Sequence, residues 1–137
     1  MSLFLDTSGL YAALVRSEGR HEEVVRSLRR ALQRGEELWV TSYVLVETTA
    51  LLQHRFGLGP VRDLHDAFVP VLRVQWVSEL LHRKGMERLI REDRRSLSLV
   101  DCVSFEFMRS QGLTDVLALD AHFAAEGFRL VPPAGKA

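Results

Sequence analysis

Ser2-Leu3-Phe4-Leu5-Asp6-Thr7-Ser8 sets three bulky apolar residues in a row and closes them with an acid and two hydroxyls. A short unbroken apolar run reads as a strand buried on both faces, as in a parallel sheet. Asp6 then falls at the carboxyl end of that strand. The chain turns helical beyond it, over 8–17, with Leu10, Tyr11, Leu14 and Val15 on one side. An apolar strand, an acid and a helix in immediate succession set the frame for the rest.

The same alternation repeats downstream. A helix is expected over 21–34, with Val24, Val25, Leu28 and Leu32 inward and Gly35 as its stop. Leu38–Thr41 reads as a strand, and Ser42 opens a helix to Phe56, stopped by Gly57. Pro60 starts another helix to Phe68. Strand 72–77, helix 78–92, polar loop 93–97 and helix 98–111 follow, the last stopped by Gly112. Strand 115–119, short helix 121–126 and strand 128–131 complete the pattern. Strands alternating with helices predict an α/β fold of three layers, α/β/α, around a central parallel sheet of four to five strands. Residues 1–131 are expected to form one domain, with 132–137 a flexible tail.

The chain has 137 residues, enough for one ordinary core, with 47% apolar and 26% charged residues. Eighteen basic and 18 acidic residues balance, so no global field draws it to nucleic acid or membrane. One cysteine, Cys102, excludes an internal disulfide and fits a cytoplasmic setting. Cys102 lies in an apolar helical pattern and reads as a packed thiol. Asp6 interrupts the N-terminal apolar run too early for a signal peptide, and no run is long enough to span a membrane.

In open parallel sheets, sites form beyond the carboxyl ends of the strands. Asp6 and Asp120 both stand directly after apolar strands. Asp115 opens the second of these strands, about 16 Å from its far end at ~3.3 Å per residue, so Asp120 is the better candidate. Glu47 shares a helical face with Tyr43, Val44, Ala50 and Leu51, and Asp101 is aligned with Leu97, Phe105 and Met108. A carboxylate on an apolar stripe is costly unless something compensates it. Each acid also has a plainer explanation. Asp6 and Asp120 suit helix N-caps, Ser98-x-x-Asp101 suits a capping pair, and Glu47 suits a buried arginine partner. If the four converge, their charges need a cation, and an all-oxygen set suits Mg²⁺ or Mn²⁺. The five histidines and the lone cysteine show no zinc spacing.

Four segments taken in order carry a resemblance. They are Phe4-Leu5-Asp6-Thr7-Ser8, Thr41-Ser42-Tyr43-Val44-Leu45-Val46-Glu47, Leu97-Ser98-Leu99-Val100-Asp101 and Ala118-Leu119-Asp120-Ala121-His122-Phe123. With this order and spacing over nearly the whole chain, the sequence resembles the PIN domains, and among them the VapC toxins of toxin–antitoxin pairs. The resemblance implies a PIN-like fold, an acidic pocket for Mg²⁺ or Mn²⁺, cleavage of RNA, a homodimer and a cognate antitoxin protein. Asp6, Glu47, Asp101 and Asp120 match the family's acidic positions, with Thr7 or Ser8 as the neighbouring hydroxyl.

The expected chemistry is metal-dependent endoribonuclease activity, leaving a 5′ phosphate and a 3′ hydroxyl. Candidate substrate contacts are Thr7, Ser8, Arg94, Arg95 and His122. Tyr11, Leu14 and Val15, with helix 21–34, are candidates for an antitoxin groove. Two other readings compete. A receiver-like phospho-switch needs a paired acidic start and a late strand-end lysine, and Lys84 and Lys136 do not suit. A catalytically inactive PIN scaffold predicts no cleavage at all.

Overall fold

The computed structural model describes residues 1–135. Strand β1, Ser2–Leu5, is buried from Leu3 to Leu5. Helices α1 (Thr7–Leu14) and α2 (His21–Gln33) carry the chain to β2, Glu37–Thr41. Helix α3 (Ser42–Phe56) and helix α4 (Leu58–Asp63) lead on to β3, Arg73–Gln75. Helices α5 (Glu79–Glu92) and α6 (Leu99–Gln111) precede β4, Asp115–Leu117, and α7 (Ala121–Ala125) precedes β5, Arg129–Val131.

The five strands form one parallel sheet in the order β3-β2-β1-β4-β5. Phe4 is paired with Trp39 on one side and Val116 on the other. The sheet therefore winds outward from β1 in one direction, through β2 to β3. It then returns over α5 and α6 to build β4 and β5 on the opposite side. Such a reversal opens a crevice between the carboxyl ends of the two strands that flank it, here β1 and β4. Asp6 and Asp120 lie on the segments leaving those two ends.

Helix α6 is buried along most of its length, including Phe105, Phe107 and Met108. Phe107 lies 5.9 Å from Phe4 and 5.7 Å from Trp39 between ring centroids, and Phe105 meets Phe123 edge-on at 4.9 Å. Burial of such rings, at ~25 cal/mol per Å², is the main force holding helix to sheet. Gly9 brings α1 hard against the end of β4, because a Cβ there would stand 2.1 Å from the Leu117 carbonyl oxygen.

Several boundaries differ from the expectations. Helix α1 stops at Leu14, where Val15 turns to extended backbone. Strand β4 stops at Leu117, because the Leu119 N–H donates to Ser8 Oγ at 2.9 Å and leaves the ladder. Strand β3 is shorter than 72–77, with the Val77 N–H donating to Ser42 Oγ at 2.9 Å. Helix α4 begins before Pro60, and a π turn over Leu64–Phe68 and a 3₁₀ turn over Val69–Val71 follow it. Pro70 has no N–H to continue α-helical bonding there. Within α2 the inward positions are Val24, Leu28 and Ala31, while Leu32 is 48% exposed. The expected tail over 132–137 reaches residues 136 and 137, which lie outside the described residues. Pro132 is buried, and the Pro133 carbonyl accepts from Arg20 Nη2 at 2.7 Å.

Candidate active site

Asp6 leaves β1 and caps α1. Its Oδ2 accepts from the Ser8 N–H at 3.2 Å and from the Ser8 hydroxyl at 2.7 Å. The same hydroxyl accepts from Leu119 N, so Ser8 ties Asp6 to the chain leaving β4. Asp101 caps α6 in a full capping box. Its Oδ2 accepts from the Ser98 N–H at 3.2 Å, while its own N–H donates to Ser98 Oγ at 3.0 Å. Asp120 caps α7, with Oδ1 accepting from the His122 N–H at 2.8 Å. All three capping readings thus hold. Each engages one carboxylate oxygen and leaves the second outside the cap. Glu47 reaches the site from the second turn of α3.

The caps do not scatter the acids. Asp6, Glu47, Asp101 and Asp120 line one open cavity of about 360 Å³, together with Thr7, Ser8, Tyr11, Leu51, Arg55 and Ser98. Asp115, by contrast, lies at the other end of β4 in an ion pair with Arg129.

The electrostatics reflect the crowding. Asp6 is only 3% exposed, and burial pushes its carboxyl up to about 7, with the Asp101 charge adding to the rise against the Ser8 and Thr7 hydrogen bonds. Asp101 is also raised, first by burial and then by the charge of Asp120. One nearby carboxylate thus opposes the ionisation of the next, from Asp120 through Asp101 to Asp6.

Ligand atoms of Asp101, Asp120 and His122 lie within 4.8 Å of one another. His122 Nδ1 stands 2.8 Å from Asp120 Oδ1 and 3.7 Å from Asp101 Oδ2. Neither approach has hydrogen-bond geometry, so Nδ1 is a buried nitrogen without a hydrogen-bond partner among the described residues. Thr7 Oγ1 is a second buried polar atom left without one among them, on the wall of the same cavity. Unpaired buried polar atoms are uncommon and call for a partner. Crowded oxygen donors with carboxyl groups raised by burial and by one another fit a hard divalent cation.

The expected substrate contacts divide. Thr7 lines the cavity with a free hydroxyl, whereas the Ser8 hydroxyl is engaged on both sides and holds Asp6 in place. His122 stands at the acids. Arg94 and Arg95 are exposed and do not line the cavity, and Arg94 approaches Glu92 at 4.0 Å. The arginine on the wall is Arg55, beside Tyr11. Its signal was present in the sequence, since Glu47, Leu51 and Arg55 recur every four residues along one helical face.

Residues 3–128 match the PIN domain family model. The chain is 34% identical over 133 residues to the 23S rRNA-specific endonuclease VapC20 of Mycobacterium tuberculosis, covering 96% of this chain and 98% of that one. It is 23% identical over 129 residues to the VapC ribonuclease of Aquifex aeolicus, covering 94% and 95% of the two chains. The crystal structure of the M. tuberculosis VapC20, described as a sarcin–ricin loop cleaving toxin, superposes with a TM-score of 0.79 at 32% identity over 93% of this chain and 96% of that one. FitAcB from Neisseria gonorrhoeae shares the fold, with a TM-score of 0.68 at 14% identity over 93% of this chain and 95% of that one. Motif order, parallel sheet and identity across almost the full length of both chains agree: this chain belongs to the PIN-domain family, on its VapC branch.

Proposed function

We propose that this protein is a metal-dependent endoribonuclease and the toxin of a VapBC-type toxin–antitoxin pair. The observation that carries the reading is the convergence of Asp6, Glu47, Asp101 and Asp120, from four separate segments, on one cavity wall. The relatives named VapC20 and VapC ribonuclease support RNA as the substrate. The four acids would hold Mg²⁺ or Mn²⁺. A bound divalent ion supplies charge neutralisation and Lewis acidity for attack of water at phosphorus and departure of the 3′ oxygen.

The protein's own groups do the positioning. Backbone caps fix Asp6, Asp101 and Asp120 before substrate arrives, so little reorganisation is needed at the moment of reaction. Ser8 locks the Asp6 carboxylate to the β4 end. The Thr7 hydroxyl is a donor with no partner among the described residues, available to a phosphate oxygen. A cognate antitoxin and a homodimer complete the proposed assembly. The cleft lined by Leu14, Val15, Phe56 and Pro60 offers an apolar surface for an antitoxin helix.

The test is cleavage of an rRNA hairpin and of total RNA by the purified protein, with Mg²⁺, with Mn²⁺ and with EDTA. Cleavage that needs the ion, leaves 5′ phosphates and falls at least about 100-fold in Asp101→Asn is the expected outcome. A purified protein that cuts neither RNA with either ion refutes the proposal.

A further inference from the structure

Arg55 is the one cation among the described residues lining the acidic cavity. An arginine beside four acids would ordinarily neutralise one of them. Arg55 instead forms no salt bridge to a carboxylate among the described residues. Its Nη1 donates to the Tyr11 hydroxyl at 2.8 Å, and its Cζ lies 5.4 Å from the Tyr11 ring centroid. Tyr11 is half-buried on α1 and Arg55 is exposed near the end of α3. The tyrosine therefore holds the guanidinium over its ring, away from the carboxylates. One of the five guanidinium N–H donors is used, and the rest of the planar fork has no hydrogen-bond partner among the described residues.

Resting on the nuclease reading above, we propose that Arg55, held by Tyr11, binds a phosphodiester of the RNA next to the one being cut. The acids with their ion serve the scissile phosphate, but every neighbouring phosphate meets a wall of negative charge. A cation on that wall which pairs with none of its acids is suited to the neighbouring phosphate, and a guanidinium fork takes two phosphate oxygens at once. Arg55 is thus a substrate-positioning group. It sets the register of the strand over the acids and takes no part in moving protons.

The test reads binding and cleavage separately. Binding of a short fluorescent single-stranded RNA is measured in EDTA across a salt series, for the wild type, Arg55→Gln, Arg55→Lys and Tyr11→Phe. Each phosphate neutralised contributes about 0.7 to the slope of log K against log salt. The expected result is a slope smaller by about 0.7 in Arg55→Gln and unchanged in Arg55→Lys, because the slope counts charge. Tyr11→Phe keeps the slope and weakens binding by about threefold, the effect of losing one ordinary hydrogen bond. In cleavage, Arg55→Gln raises KM about tenfold with kcat within about twofold, as loss of a charged contact held equally in ground and transition states requires. An Arg55→Gln slope equal to the wild type's, or a wild type that does not bind RNA, overturns the proposal. Absent cleavage with the slope change intact would sink the nuclease reading instead and leave the phosphate contact standing.

Discussion

Replacing Asp6 by Asn separates the two demands placed on this carboxylate. In the metal-free protein Asp6 is a liability. Its carboxyl is raised from the ordinary 3.8 to about 7, first by burial. Between those two values the unfolded chain has released the proton and the folded chain still holds it. Stability therefore falls as pH rises through this window, and the loss is complete above pH 7. At about 1.36 kcal/mol per unit, a shift of roughly 3 units amounts to about 4 kcal/mol, an upper figure for a group this deeply placed. Asn keeps the side-chain oxygen that accepts from the Ser8 N–H and hydroxyl and, like the protonated acid, carries no charge, so it escapes this cost; the charge assistance of those bonds is already contained in the shift. In EDTA at pH 8 the variant should thus be more stable than the wild type by up to about 4 kcal/mol. For a chain of this length that is a Tm higher by up to roughly 14 °C. The difference should shrink to less than half of that near pH 5, where about 1.2 of the roughly 3 units have been traversed. Adding Mg²⁺ or Mn²⁺ should raise the wild-type Tm and leave the variant nearly unmoved, by preferential binding to the folded state. Thermal melts of both proteins at pH 5, 6.5 and 8, with EDTA and with each ion, measure all of this. A wild-type Tm in EDTA that is flat across this range, with Asp6→Asn superposed on it, would show that Asp6 carries no buried charge penalty and would refute the reasoning.

Two further substitutions probe how the site is held. Ser8→Ala removes the hydroxyl that joins Asp6 Oδ2 to the Leu119 N–H, so it should cost about 1–3 kcal/mol in urea melts and lower kcat while the RNA salt slope stays unchanged. Gly9→Ala places a methyl 2.1 Å from the Leu117 carbonyl oxygen, so α1 must move off β4; a loss of about 3 kcal/mol or more, or an insoluble product, is expected.

The fold was legible because its central strand is a run of apolar residues ended by an acid, the segment Val116–Leu119 before Asp120 repeats that contrast, and strands alternate with helices through most of the chain. Boundaries were less legible where a distant side chain captures a backbone N–H. Ser8 Oγ ends β4 from 111 residues away, and no local pattern announces that. Leu32 was misplaced because Ala31 fills the inward position of α2, and an alanine is a faint signal beside a leucine. Among site residues, Glu47 was visible as a charge on an apolar stripe, whereas Arg55 shows only through its four-residue spacing from Leu51 and Glu47. Arg94 and Arg95 drew attention by closeness to Asp101 in sequence. Both are exposed and off the cavity wall, and the cavity's arginine comes instead from eight residues beyond Glu47 along α3.

Cap and ligand are rival explanations of the aspartates, and under the proposed function they need not compete. A capped aspartate is held by backbone N–H groups that do not move, and those donors favour its charged form. The three capped aspartates line a crevice created by the reversal of strand order. In Asp6 the stabilising N–H and hydroxyl donors are overcome by burial, and in Asp101 by burial and a neighbouring charge. Capping alone therefore does not account for these residues, because a helix cap works best exposed and ionised, and Asp6 is neither well exposed nor easily ionised. The residual cost would be lifted by a cation joining the acids, as the proposed function requires. Burial that serves no purpose for a cap is what a site for a divalent ion requires.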